Sequence, residues 1–200
     1  SKKSKQTPIH LRCGRYAFPR LRTGSATKEH SEENWQVTTE RQGAFMTPFQ
    51  PLITKIESQT GAKFRPASAT ALDQLRALKL PESIIDFYRH HEPDKWVEGQ
   101  VRLWSVKHIQ QENTDVEPGA YVSDLGYVVF ASTLSGDAYC FNLNRKSNGE
   151  PEIVLISHEV AYEGITAEEV AQIAKPVASN LLDFLTKFKN EQIDEECWEW

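Results

Sequence analysis

Long apolar runs are missing from this sequence, and their absence excludes a conventional membrane protein. No stretch of about 18 consecutive apolar residues occurs in the 200-residue chain. The basic start is also not followed by the apolar segment of a secretory signal peptide. We therefore expect a cytoplasmic protein without a membrane-spanning helix or a membrane partner.

Cysteine is scarce, and its spacing excludes a disulfide scaffold. The three cysteines, Cys13, Cys140 and Cys197, are odd in number and form no CxxC pair, which fits a reducing compartment and gives no basis for a structural zinc site. Cys140 lies between Tyr139 and Phe141 in an alternating run. We expect it to be a small buried side chain rather than a nucleophile.

Catalytic and metal-ligand spacings are absent as well. The densest group of candidate ligands is His90, His91, Glu92 and Asp94, and no HExxH spacing occurs. Adjacent histidines on a helix point about 100° apart and do not readily share one ion, which favours a solvated helix end. We expect no metal site, no catalytic residue and no cofactor, and therefore a protein that is not an enzyme.

The net charge of -5 is unevenly distributed along the chain. Residues 1–45 carry nine Lys/Arg and four Asp/Glu, so residues 46–200 carry a formal charge of about -10. An acidic domain repels nucleic acid and attracts basic partners. The charge pattern therefore predicts a basic protein partner and no binding of nucleic acid.

Residues 1–45 differ from the rest of the chain in their pattern. They are basic, poor in apolar periodicity and interrupted by glycine and proline, which is typical of a flexible leader. A small extra segment with short strands at residues 9–11 and 35–37 is the alternative. Met46 is the only methionine and is a candidate translation start, in which case residues 1–45 would not be native. The folded domain is expected to span residues 46–200, with an acidic, aromatic tail at residues 191–200.

Helix signals begin directly after Met46. Thr47 and Pro48 are predicted to cap a helix that ends at Gly61, and Thr70 with Asp73 is predicted to cap a second one. Further helices are predicted at residues 82–90, 105–112 and 176–190. Strands are predicted at residues 101–104, 126–131, 138–143 and 152–157, with tight turns at 135–137 and 147–149. The expected fold class is α+β, an antiparallel β-meander sheet flanked by N-terminal and C-terminal helices.

The order of these motifs resembles the SUKH superfamily of Smi/Knr-like proteins over about residues 46–190. The run LPESIIDFY at residues 80–88 resembles the LPxxhxxFY helix of that superfamily. The segments 103–109, 126–130, 136–141 and 177–188 resemble its following strand and helix, its central hairpin and its closing helix. HHEP at residues 90–93 departs from the Asn-Gly-Gly that many members have there, so the shape of this loop is expected to differ.

The resemblance implies an α+β fold and a protein-binding role. Bacterial members commonly act as immunity proteins against polymorphic or contact-delivered toxins, often nucleases, whereas others regulate cell-wall synthesis. The binding surface varies with the partner, so the resemblance implies no fixed site residues.

Candidate contact residues follow from charge and aromatic content. Trp96 and Trp104 flank the acidic loop that contains Glu92, Asp94 and Glu98. Trp104 is expected in the core, and Trp96 is equally open to packing or to a partner contact. Further acidic residues are expected to give the loop edge of the sheet a negative field; they are Glu112, Asp115, Glu117, Asp124 and Asp137. The predicted partner-binding residues are Glu92, Asp94, Trp96, Glu98, Asp124 and Asp137.

The leading hypothesis is a cytoplasmic immunity protein that binds a basic toxin domain, with a nuclease as the favoured toxin. A regulatory or scaffold protein of the Smi/Knr type is the alternative, and an uncharacterised enzyme is the third hypothesis. The tail at residues 191–200, which contains Trp198 and Trp200, either folds back on the domain or reaches toward the partner. The chain is expected to be a monomer or a homodimer.

Overall fold

The computed structural model describes residues 47–97 and 101–193. The predictions for residues 1–45 and for residues 194–200 lie outside these ranges. The helices are α1 (Gln50–Thr60), α2 (Ala69–Ala77), α3 (Glu82–His91), α4 (Val106–Thr114), α5 (Gly119–Val122), α6 (Ala167–Ile173) and α7 (Leu181–Lys189), and a 3-10 turn (Ser123–Leu125) follows α5. No helix in the described part of the chain is both long and apolar enough to cross a membrane.

The strands form an antiparallel meander, which confirms the predicted α+β class. They are β1 (Phe64–Arg65), β2 (Glu92–Pro93), β3 (Trp96–Val97), β4 (Val101–Trp104), β5 (Tyr127–Thr133), β6 (Ala138–Ser147), β7 (Glu150–Ile156) and β8 (Lys175–Ala178). The main sheet has the order β3-β4-β5-β6-β7-β8, and β1 pairs with β2 in a separate two-stranded sheet. Every pair is antiparallel.

Both faces of the main sheet are covered, because alternate side chains of a strand point to opposite faces. On β7, Ile153 and Leu155 join one buried cluster, whereas Val154 and Ile156 join another. The first cluster takes in side chains from α1, α2, α3, α4 and α7, and the second takes in α5, α6 and the loop between β7 and α6. The short helices predicted from the sequence therefore do pack on a sheet.

The two tight turns of the meander are confirmed. Gly136 follows β5 with a φ of 108°, and Gly149 follows β6 with a φ of 85°, a backbone conformation that glycine adopts without steric cost. The loops between consecutive strands are therefore short enough to set the register of β5, β6 and β7.

The predicted helix caps at the N-terminal end are wrong, although the helices themselves are confirmed. The Thr47 hydroxyl lies 2.8 Å from Nε2 of His91 and does not cap α1, which begins three residues later. Helix α2 is capped by Ser68, whose side chain accepts a hydrogen bond from the backbone of Ala71. The predicted cap Thr70 lies inside this helix.

The predicted last helix at residues 176–190 is wrong in its first part. Pro176 and Val177 belong to the edge strand β8, which pairs with β7, and α7 begins only after its cap residue Asn180. Helix α6 was not predicted, although Thr166 and Glu169 form the reciprocal hydrogen bonds of a capping box at its start.

Candidate protein-binding surface

Two predicted contact residues, Glu92 and Asp94, have partners within the domain. The Glu92 carboxylate accepts a hydrogen bond from the backbone N–H of Val106 at 3.1 Å and so caps the first turn of α4. Asp94 is exposed and pairs with Arg65, with 2.8 Å between Oδ1 and Nε. Their charges are thus partly compensated before any partner arrives.

Asp124 and Asp137 lie at opposite ends of β5, so the sheet does not bring them together. Asp124 is exposed in the 3-10 turn before the strand, whereas Asp137 follows the strand and is only 5% exposed. Asp137 accepts hydrogen bonds from the backbone of His158 at 3.1 Å and from its Nδ1 at 2.8 Å. The burial of Asp137 removes its carboxylate from the surface.

The tryptophans occupy neighbouring strands, Trp96 in β3 at the edge of the main sheet and Trp104 in β4 beside it. Trp96 pairs with Trp104 in the β3–β4 register. Trp104 is half-buried, packs against both buried clusters and stacks on His108 with 5.7 Å between ring centroids, which confirms its predicted packing role. The Trp96 side chain and Glu98 lie outside the described part, so their proposed contacts stay predictions.

Basic residues are nearly absent from the middle of the domain. Between Lys107 and Lys175 only Arg145 and Lys146 occur, and Arg145 lies 3.5 Å from the Glu152 carboxylate. In contrast, several exposed carboxylates elsewhere have an arginine beside them; they are Asp73, Glu82, Asp86 and Asp94. The uncompensated negative charge of the described domain is therefore concentrated on the elements after α4.

We use the term α5–α6 face for the surface formed by Glu117, Tyr121, Tyr162, Glu163 and Glu169. Within the described residues, none of its three carboxylates forms an ion pair. The apolar residues beneath this face share one cluster, with Val122 from α5, Ala161 and Ile165 from the loop, and Val170 from α6. Segments about 40 residues apart in the sequence thus form one negatively charged face.

Each tyrosine of the α5–α6 face donates its hydroxyl hydrogen to a glutamate. Tyr121 of α5 binds Glu117, which precedes this helix, and Tyr162 binds Glu169 at 3.0 Å. These hydrogen bonds raise the pKa of both tyrosines, and the charge of Glu163 adds to the effect on Tyr121. The loop and α5 are joined through the buried cluster that they share.

Glu169 is itself held in place by the capping box of α6. Its Oε2 accepts hydrogen bonds from the backbone and the hydroxyl of Thr166, both at 2.9 Å. These bonds lower the pKa of Glu169, so the carboxylate stays ionised. Tyr162 is therefore anchored at its hydroxyl while 52% of the residue is exposed.

The family is identified by comparison with known sequences. The sequence model of the SMI1 / KNR4 family (SUKH-1) matches residues 66–187, which is more than half of the chain. The protein belongs to this family. The match confirms the resemblance inferred from the motifs, and it spans the whole α5–α6 face. A search of curated proteins found no match.

Membership in the SMI1 / KNR4 family bears on activity as well as on fold. Domains of this family bind other proteins and are generally non-enzymatic. Among the described residues, no group of three or more His, Cys, Asp or Glu side chains is arranged to hold a metal ion.

The prediction that the end of α3 is solvated is wrong for His91, which is buried and forms a hydrogen bond with Thr47.

Sequence reasoning missed Tyr162, Glu163 and Glu169, although two signals pointed to them. The first is the Thr-x-x-Glu pattern at residues 166–169, which marks a helix start. The second is the lack of Lys and Arg over residues 147–174. The only predicted negative-field residue within the α5–α6 face is Glu117, and Asp124 follows α5 by two residues.

Proposed function

We propose that this protein is an immunity protein, which binds a toxin domain with a basic surface and neutralises it by blocking that surface. The observation that carries the proposal is the α5–α6 face, an uncompensated acidic surface on a domain whose family binds proteins. The complex is expected to form in the cytoplasm, without a cofactor and without a reaction that this protein catalyses.

A basic toxin surface is the natural complement of this face. Nucleases bind the phosphates of their substrate through lysine and arginine. The carboxylates of Glu117, Glu163 and Glu169 would occupy such a cleft in place of phosphate, and Asp124 extends the same charge beyond α5. Because exposed charges steer association over about one Debye length, the negative face would also speed the encounter at low salt.

Of the other predicted contact residues, Trp96 and Glu98 remain candidates for a second contact region beside Asp94. Asp137 is left out of the proposed interface because it is buried against His158. The proposed interface is therefore centred on the α5–α6 face rather than on the loop after α3.

The test first looks for a toxin gene next to the gene of this protein and then expresses its toxin domain in cells with and without the full-length protein. Growth should be restored by the wild type and lost with the triple variant Glu117→Gln, Glu163→Gln, Glu169→Gln. Glutamine at position 169 keeps the capping-box hydrogen bonds, so α6 should persist. A matched triple variant at Asp73, Glu82 and Asp86, each replaced by its amide, should still protect.

Failure of the wild type to protect would contradict the proposal. Stable association with a host envelope-synthesis protein instead of a toxin would favour the alternative, a regulatory or scaffold role of the Smi/Knr type.

A further inference from the structure

A groove of about 220 Å³ lies beside the C-terminal end of α1, and we call it the α1 groove. Its floor is apolar, formed by half-buried Ala62 and by Pro93 and Val97, which are buried. Its rim carries two exposed lysines, Lys63 and Lys95. A cavity of about 150 Å³ is enough to hold a benzene ring, so the α1 groove has room for one aromatic side chain.

The positive charge on the rim of the α1 groove is not compensated. Within residues 47–97 and 101–193, neither Lys63 nor Lys95 forms an ion pair. Asp94 also lines the groove, but it is paired with Arg65, with 2.8 Å between Oδ1 and Nε. The backbone N–H of Asp94 donates to the carbonyl of Lys63 at 2.8 Å, which holds the two sides of the rim together. The rim therefore offers two ammonium groups to an acidic occupant.

The end of α7 lies close to the α1 groove. The side chain of Gln59, in the last turn of α1, donates a hydrogen bond to the carbonyl of Lys189, the last residue of α7, at 3.2 Å. Gly61, which lines the groove, follows Gln59 by two residues. After α7 the chain is held as far as Ile193, which is buried in the cluster that Ala62 packs against. The segment after Ile193 therefore starts from a fixed point on the same side of the sheet as the groove.

Residues 194–200 have the chemistry that the α1 groove requires. Their sequence DEECWEW contains four carboxylates, two indoles and no Lys or Arg. Residues 1–45 carry an excess of Lys and Arg and lack this complementarity. Seven extended residues span at most about 25 Å, which covers the short step from the end of α7 to the groove. A segment tethered so close has an effective concentration of the order of millimolar at the groove.

We propose that residues 194–200 dock in the α1 groove, with the indole of Trp198 against its apolar floor and the carboxylates beside Lys63 and Lys95. The inference is independent of the proposed function. The groove lies over the first buried cluster, whereas the α5–α6 face covers the second. A docked tail therefore does not compete with the α5–α6 face for a basic partner.

The experiment places a nitroxide spin label on Cys197 of the isotope-labelled full chain. Cys13→Ser removes the second site of labelling, and Cys140 is buried. Paramagnetic broadening of the backbone amides should be concentrated on the residues that line the α1 groove. Broadening that is centred on another surface, or spread evenly over the domain, would overturn the proposal.

Reversal of the rim charge tests the part played by the lysines. In the variant Lys63→Glu, Lys95→Glu the broadening should lose its concentration at the α1 groove, because the rim then repels the carboxylates of the tail. The matched control is Lys107→Glu, Lys146→Glu, which reverses two exposed lysines that form no ion pair with another described residue. This control should retain the concentrated broadening. Equal patterns in the two variants would contradict the docking site.

Trp198→Ala tests the indole without a spin label. The amide resonances of Gly61 and Lys63 should shift relative to the wild type, and the Tm should fall by about 2–4 °C. The rest of the backbone spectrum should match the wild type, which excludes unfolding. A Trp198→Ala variant with unchanged groove resonances and an unchanged Tm would overturn the proposal.

Discussion

The side chain of Asn113 binds both backbone groups of Val129. Its Oδ1 accepts from the Val129 N–H at 2.8 Å, and its Nδ2 donates to the Val129 carbonyl, also at 2.8 Å. Strand β4 pairs with β5 as far as Ala131, so the amide of Asn113 continues the ladder where this pairing stops. Asn113 thereby fixes α4, and the α5 segment that follows it, against the sheet.

Replacing Asn113 should destabilise the fold strongly. Asn113→Ala would leave the backbone groups of Val129 and the carbonyl of Ile109 without this partner in a buried position. Unsatisfied buried groups cost about 1–3 kcal/mol each before relaxation, so we expect a loss of about 3 kcal/mol in the free energy of unfolding. Urea denaturation of the wild type and the variant measures this loss.

Asn113→Asp is the more specific variant, because aspartate keeps the shape of the side chain but lacks the N–H donor that binds the carbonyls of Ile109 and Val129. Thr114→Ala, at the exposed neighbouring position, is the control and should change the free energy of unfolding by less than about 0.5 kcal/mol. Similar losses in Thr114→Ala and Asn113→Asp would contradict the role given to Asn113.

Gly119 is predicted to tolerate no side chain. A Cβ atom there would lie 2.1 Å from the carbonyl oxygen of Glu112 and 2.9 Å from Cγ2 of Val129. Because the first of these atoms is backbone, α5 would have to move away from α4, and Gly119→Ala should cost about 3 kcal/mol. Thermal unfolding followed by circular dichroism tests this.

Gly149→Ala is the matched control for Gly119→Ala. Its φ of 85° is strained for alanine, but no atom lies within 4 Å of the added Cβ, so we expect a loss of about 1 kcal/mol. The packing account of Gly119 fails if the two alanine variants are equally stable.

His91 should make stability depend on pH. Burial lowers its pKa, and the charge of His90 acts in the same direction. The neutral imidazole is therefore favoured in the folded state, whereas the unfolded chain binds a proton at a pKa of about 6.5. The contribution of the neutral His91 to the free energy of unfolding is fully present above that pH. It is lost as the pH falls from about 6.5 toward the lowered pKa of the folded state.

The measurement is the free energy of unfolding of wild type and His91→Gln between pH 7.5 and pH 5. The decline on acidification should be smaller in the variant, because glutamine does not titrate. An equal decline in both proteins would show that His91 does not cause it. Thr47→Val, which removes the hydrogen bond but keeps the histidine, should retain the pH dependence.

Cys140 should be unreactive in the native protein. It is fully buried, and burial raises the pKa of its thiol, so neither access nor ionisation favours attack. Alkylation followed by peptide mapping should leave the peptide with Cys140 unlabelled in native protein and label it in denaturant. Rapid native labelling of that peptide would contradict the described packing of β6.

Elements with strong local signals could be predicted from the sequence. Helix α3 and the two hairpin turns depend on Pro81, Gly136 and Gly149, whose preferences act within a few residues. Helix caps were harder to predict, because the hydroxyl of Thr47 forms its hydrogen bond with His91, 44 residues away in the sequence. Strand β8 was missed because Pro176 and Val177 form a strand only through pairing with β7.

The candidate surface was harder to predict than the fold. The excess of acidic residues was visible in the sequence. The sequence did not show which carboxylates are compensated by other residues of the same domain. Asp137 and Glu92 look like surface charges in the sequence, yet one is buried against His158 and the other caps α4. The joining of α5 to the loop that carries Glu163 depends on the buried cluster that they share, which no local pattern encodes.

Capture of a basic toxin by the α5–α6 face should depend strongly on salt, because exposed charges are screened. The decisive measurement is the dissociation constant between the full-length protein and the toxin domain of the protection assay, determined at low and high salt by isothermal titration calorimetry. Binding should weaken at least tenfold at high salt, and the Glu117→Gln, Glu163→Gln, Glu169→Gln variant should show a much smaller salt dependence. Affinity that is independent of salt, or unchanged in that variant, would contradict the proposed function.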